Sequence, residues 1–330
     1  MQEKLKQIFG KGKNFKLLPE EKQLIKSHLV LFARNNPLGK TNFLNLFFKP
    51  VFAASLITAL LVGSTSALAE TALPGMLLYP IKIRVNEQVK EFLSFSSDAK
   101  AGWNIKIAER RLTEAEKLAA KGGLSFEIKT EISSRLTENF ERFEINVKKI
   151  EESKKNDKIV LEINSDFEAV LEAHENILSQ FSVLESKQKQ EIKDLIGDVG
   201  VSVKRVAEMR RVQETLIASS TGLDIEMAAR DKQKTARSEV EEAVRLLSDN
   251  QAHFEIEAYF KAGERLGEAN KKISEGDRVM SEGKFGEAFT KFQEAMRTAQ
   301  NARLLTSSAA ELELKIEGNG LELELELEKE

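Results

Sequence analysis

All five prolines of this 330-residue chain lie within its first 80 residues: Pro19, Pro37, Pro50, Pro74 and Pro80. The 250 residues that follow have none and are dense in Glu, Lys, Ala, Leu and Arg. A proline inside a helix costs about 3 kcal/mol, so a proline-free stretch of this length predicts long helices. Apolar spacing agrees. Ile128, Ile132, Leu136, Phe140, Phe143, Val147 and Ile150 recur at steps of three and four, which draws a single stripe down one helix.

Punctuation divides the region. Ser97 and Asp98 are cap candidates for a helix through Ile105, Ala108, Leu112, Ala115 and Ala119 that stops at Gly122-Gly123. Ser125 caps the next, which ends near Asn156-Asp157. A third carries Ile159, Ile163, Phe167, Val170, His174, Ile177 and Phe181. A fourth carries Ile192, Leu195, Val199, Val203, Val206 and Leu216 and closes at Ser219-Ser220-Thr221-Gly222. A long fifth runs from Asp224 towards Met280, turns at Gly283 and returns through Phe285, Phe289, Phe292, Met296 and Ala299. Short connections favour antiparallel neighbours, so helical hairpins joined end to end are expected. The turn Ser281–Ala288 resembles one tetratricopeptide unit, but no second copy stands about 34 residues away, and a single hairpin is the reading kept.

The last twenty residues change period. Leu312, Leu314 and Ile316 alternate with charges, as do Leu321, Leu323, Leu325 and Leu327, with Gly318-Asn319-Gly320 between. A two-residue turn at Asn319-Gly320 pairs Ile316 with Leu323, Leu314 with Leu325 and Leu312 with Leu327. The opposite face is acidic and sets like charges against each other, so it needs helices beneath it or a cation or partner strand above. A frayed acidic tail is the alternative.

Charge is distributed unevenly. Residues 1–49 carry ten Lys or Arg against Glu3, Glu20 and Glu21, a net +7, and the remainder carries −10. Between them the twenty residues Pro50 to Ala69 hold no charge. As a helix they would span roughly 30 Å, the thickness of a bilayer's apolar core. Basic residues on one flank orient the N-terminus to the cytoplasm and the bulk outside. Two other readings stay open: a signal peptide cleaved near Ala67-Leu68-Ala69, and a core helix diluted by Ser55, Thr58 and Ser64.

Chemistry is constrained by what is missing. Without Cys there is no disulfide, thiol nucleophile or thiolate metal site. A net charge of −3 argues against a nucleic-acid partner. Gly39-Lys40-Thr41 ends like a phosphate-binding loop, but Arg34 holds the first glycine position and no loop-packing sheet follows. His28, His174 and His253 match neither a zinc nor a di-iron helix motif, and His174 falls on an apolar stripe. No catalytic residue, cofactor site or metal site is expected. Within the basic head, Leu24, Ile25, His28, Leu29 and Phe32 form a short apolar face for docking on a cytoplasmic protein. The plainer reading is a topology signal drawn to anionic lipid.

One stretch resembles a known family. Ala72-Leu73-Pro74-Gly75-Met76-Leu77-Leu78-Tyr79-Pro80-Ile81-Lys82 follows the uncharged segment, and Ala108-Glu109-Arg110-Arg111-Leu112-Thr113-Glu114-Ala115 comes after it. Both are similar to the bacterial domain of unknown function (DUF) family 5667, over roughly residues 70–180. The resemblance implies a membrane-anchored extracytoplasmic helical domain, sometimes in proteins labelled anti-sigma-like, with no established reaction. Read physically, Leu73, Pro74, Gly75, Leu78, Tyr79 and Pro80 form a membrane-exit motif, with a turn at Pro74-Gly75, Tyr79 at the interface and Pro80 opening a helix.

The expected architecture is therefore all-α. A basic cytoplasmic segment (1–49) and a transmembrane helix (50–69) precede an extracytoplasmic domain of antiparallel helical hairpins (70–310), and an acidic β-hairpin or tail (311–330) ends the chain. The lipid bilayer and a protein are the expected partners, with a cation at the acidic hairpin as a further candidate. The expected role is a non-enzymatic tether or scaffold of the cell envelope, or else transmembrane signalling through residues 1–49.

Overall fold

The computed structural model describes residues 69–153, 157–183, 187–250, 256–312, 316–317 and 320–321. The chain divides into two compact units, one made of residues 1–72 with 76–88 and the other of 73–75 with 89–330.

In the described part of the first unit, Tyr79–Ile81 (α1) opens with Pro80 in its first turn, where the missing amide would have had no helical partner. The chain continues through a π-helical turn, Lys82–Glu87, which leads into Gln88–Leu93 (α2). Lys82 Nζ donates to the Ala72 carbonyl at 3.1 Å and Asn86 Nδ2 donates to Glu70 at 3.1 Å, so side chains of this turn fasten the stretch before it.

The second unit holds Ser97–Ala120 (α3), Phe126–Glu152 (α4), Asp157–Val183 (α5), Lys189–Ala218 (α6), Leu223–Asp249 (α7), Ile256–Ser281 (α8) and Phe285–Leu312 (α9). Local chemistry sets these ends. Ser96, one residue before the expected cap, accepts from the Ala99 amide, and Ser125 accepts from the Ile128 amide. Gly122 has φ +67°, its amide donates to Ala119 and that of Gly123 to Leu118, the paired bonds that satisfy the last carbonyls of a helix. Gly283 closes α8 in the same way, with φ +76° and bonds from Gly283 to Met280 and from Lys284 to Val279.

Apolar stripes then assemble the unit. From α4, Ile132, Phe140, Phe143, Val147 and Ile150 are buried against α3, α5 and α6, with Ile128 and Leu136 at the margin. Phe140, Phe143 and Phe167 stack within 4.5–6.3 Å of one another. A second apolar cluster joins α7, α8 and α9 through residues such as Ala229, Val240, Leu266, Phe289 and Phe292. Buried Leu305 of α9 belongs to the first cluster, and Leu161 of α5 to the second.

Several expectations are corrected here. Hairpins joined end to end are not what forms: α9 packs on α5, α6, α7 and α8, so the last helix returns to helices that precede it by a hundred residues. The single fifth helix is two, α7 and α8, because Ser248-Asp249-Asn250 are weak helix formers and Asn250 caps α7 by donating to Leu246. Leu216 is exposed; the buried stripe of α6 runs Val206, Arg210, Gln213, Ile217, with polar groups at two of its four positions.

The transmembrane helix is not part of the described fold, and of the expected C-terminal hairpin only two strands of two residues each are described. Among the described residues no helix is long and apolar enough to cross a membrane, and residues 50–68 lie outside those described. Leu312 ends α9 instead of opening a strand. Beyond it, Ile316–Glu317 (β1) and Gly320–Leu321 (β2) are two-residue strands with Ile316 opposite Leu321 and Glu317 opposite Gly320. The expected Ile316–Leu323 register is thereby lost. Gly318-Asn319 suits a tight connection as well as Asn319-Gly320 does, so local turn chemistry permits more than one register. Glu322, Glu324 and Glu326 of the acidic face expected to take a cation lie outside the described residues.

Candidate functional site

Buried charge gathers where α5, α6 and α9 meet. Glu168 of α5 accepts from Arg210 Nε and, at 3.1 Å, from Arg210 Nη2, while Arg210 Nη1 reaches Glu214 at 2.5 Å. Glu168 and Arg210 are both buried, so the fork of the guanidinium replaces the water that each charge has lost. Arg297 of α9 completes the cluster with Nη1 at 3.2 Å from Glu168 and 3.3 Å from Glu172.

Past Arg297 the three-helix junction of α5, α8 and α9 opens into a cavity of about 380 Å³. Helical spacing explains its walls. On α8, Arg265, Glu268, Lys272 and Glu275 fall on one face at steps of three and four, beside the apolar stripe Ala262, Leu266, Ala269 and Ile273. On α9, Arg297 and Asn301 are one turn apart and point the same way. Glu172 comes from α5 and Lys271 from α8. The walls thus carry both signs of charge in quantity.

Electrostatics within the cavity are unequal. Burial pushes the Glu172 carboxyl above its usual range against the pull of Arg297. Lys272 donates to Glu294, 2.7 Å away, which raises its pKa. Burial works against the Glu294 carboxylate, and Lys272 and Lys291 more than offset it, leaving its pKa lowered. Lys271 is exposed and forms no ion pair among the described residues. Arg297 bonds through Nη1 only, and Asn301, which donates to the Ala169 carbonyl at 3.3 Å, has a buried Oδ1 that receives no hydrogen bond. The walls are thus polar and charged throughout.

The residues singled out from sequence lie elsewhere. Leu24, Ile25, His28, Leu29 and Phe32 lie outside the described residues. Leu73 and Pro74 are buried, Leu73 within the α3–α6 apolar cluster, and Gly75 adopts φ +89°, which a turn with Pro ahead of Gly requires. In the other unit, Leu78 is half-buried, Tyr79 is buried with 4% of its surface exposed, and Pro80 is exposed. His174 is fully buried, with Nδ1 2.5 Å from Glu116 Oε1. Burial disfavours its charge, but Glu116 outweighs this and the pKa is raised.

The motif helix that carries the family resemblance is explained by packing. Ala108, Leu112 and Ala115 are core residues of α3, Arg111 is buried with Nη1 2.5 Å from Glu114, and Arg110 lies over the Trp103 ring at 5.5 Å. Residues 71–169 match the family model of a domain of unknown function, DUF5667. No curated protein and no solved structure matches the chain. The matched segment ends on α5 at Ala169, whose carbonyl holds Asn301. Glu172, α8 and α9 therefore lie beyond it, and the cavity belongs to the part of the chain that the DUF5667 match leaves out.

Sequence reasoning missed the cavity. Its residues come from three helices that are far apart in the chain, and no short motif joins them. Arg297 and Asn301 fall on the opposite side of α9 from Phe285, Phe289, Phe292 and Met296, where periodicity reads a solvated face.

Proposed function

We propose that the chain is a non-enzymatic, membrane-tethered interaction module of the bacterial cell envelope, with its helical mass on the outer side. The observation that carries this reading is the charge pattern around Pro50–Ala69: twenty uncharged residues with +7 before them and −10 after. The use made of buried polar groups supports its non-enzymatic part. Glu168 with Arg210 and Arg297, and Asn104 with Asn139 and Asn146, tie helices to one another instead of converging on a reaction centre. Fractionation and proteolysis of intact cells test the proposal. The full-length protein should resist alkaline extraction from membranes, and external protease should degrade residues 70–330. Extraction into the aqueous phase, or protection of the C-terminal portion, would overturn it.

A second reading, signalling across the membrane, is favoured by the cavity, which gives the helical unit somewhere to receive a ligand. Residues 1–49, with Leu24, Ile25, His28, Leu29 and Phe32 as one face, then hold a cytoplasmic regulator. A pulldown with residues 1–49 should recover one specific protein, and retention of anionic lipid alone returns the tether as the whole role.

A further inference from the structure

The cavity between α5, α8 and α9 presents paired but incomplete polar groups. Arg297 spends Nη1 on Glu168 and Glu172; its Nε is buried without a partner, and Nη2 makes no bond among the described residues. Beside it Glu172 uses only Oε2 on Arg297. Asn301 Oδ1 lacks a donor, which buried acceptors in folded proteins rarely do. Lys271, exposed at the rim, forms no ion pair among the described residues. A ligand that completes this set needs an anionic acceptor for Arg297 and Lys271. It also needs a cationic donor, a few ångströms away, for Glu172 and Asn301. A simple anion supplies the first and leaves Glu172 repelling it; a simple amine does the reverse. At about 380 Å³ the space falls at the lower end of the range for small-molecule sites.

We propose that this cavity binds an α-amino acid, its carboxylate held by Arg297 and Lys271 and its ammonium by Glu172 and the Asn301 side-chain oxygen. The ligand's two charges then run antiparallel to the Arg297–Glu172 pair. Each end meets its opposite without breaking the bonds that hold the helices. Ligand binding also joins α5, α8 and α9 at one point, so occupancy stabilises their junction.

Calorimetric titration and thermal melting of the whole chain in detergent micelles test this, with the twenty free L-amino acids as probes and acetate and ethylamine as half-ligands. At least one amino acid should bind with Kd below about 1 mM and raise the melting temperature. Acetate and ethylamine should each bind about tenfold more weakly or not at all. Lys271→Met, at an exposed position that disturbs no packing, should weaken binding several-fold while the melting temperature without ligand stays unchanged. Glu172→Gln should weaken it about tenfold. Absence of amino-acid binding overturns the proposal, as does acetate binding equally well, or unchanged affinity in both variants. The measurement is made in micelles, so its failure leaves the membrane tether standing, and failure of the tether leaves this site standing.

Discussion

Gly286→Ala should destabilise the helical unit, although alanine is the better helix former. Gly286 lies in the first turn of α9, pressed on the last turn of α6. A Cβ there would overlap the Ile217 carbonyl oxygen and stand 2.7 Å from that of Ala218 and 2.9 Å from that of Ser220. These are backbone atoms at a helix end, and they cannot rotate aside as a flexible side chain can. The methyl group gains at most about 1 kcal/mol from helix propensity. Overpacking costs about 1–3 kcal/mol, and so close an approach to rigid backbone takes the upper end of that range, so the balance is a loss of roughly 2 kcal/mol. For a unit of this size that lowers the melting temperature by roughly 4–8 °C. Gly267→Ala supplies the contrast. It lies inside α8 with nothing within 4 Å of the added atom, so the same change should stabilise by about 0.5–1 kcal/mol. Circular dichroism melts of both variants decide the matter. A neutral or stabilising Gly286→Ala, or a destabilising Gly267→Ala, refutes the close-approach argument.

Three further outcomes follow from buried polar groups. Arg210→Met leaves buried Glu168 with Arg297 as its one remaining arginine and should cost about 1–3 kcal/mol in urea unfolding, whereas Glu168→Gln combined with Arg210→Met should cost less than the single change. Asp166, with its pKa pushed by burial to about 6, binds its proton more readily folded than unfolded, so its charge weakens the fold above about pH 6 and the penalty fades as pH falls towards 4. Asp166→Asn should therefore raise the melting temperature at pH 8 and have little effect at pH 4. Gln188→Ala removes a side chain that donates to the Ala119 carbonyl at 2.5 Å and accepts from the Leu124 amide at 2.8 Å, and loss of both bonds should cost about 1–3 kcal/mol in the same unfolding assay.

Legibility followed the range of the interaction. The α4 stripe from Ile128 to Ile150, the α5 stripe from Ile159 to Phe181, the Ser125 cap and the Gly122-Gly123 stop were readable because each depends on neighbours within five residues. Where a helix turns polar on its buried side, the same reading failed. On α6 the apolar period points to Leu216 and skips Arg210 and Gln213, whereas both of these and Ile217 are the buried residues, because periodicity reads a polar side chain as solvent-facing. Their partners, Glu168 and Glu151, lie 42 and 62 residues away, beyond any local pattern.

The sequence by itself determined that the described residues between Pro80 and Leu312 are mainly helical, where most of the helices start and stop, and which apolar face each presents. Those are properties of one helix at a time. Tertiary structure alone decided that α9 returns across α5 to α8, that Glu168 has two arginines to neutralise it, and that Glu172, Lys271, Arg297 and Asn301 face one cavity. A charge can be buried only when another element brings its counter-charge, and which element does so is set by packing the whole set of helices together.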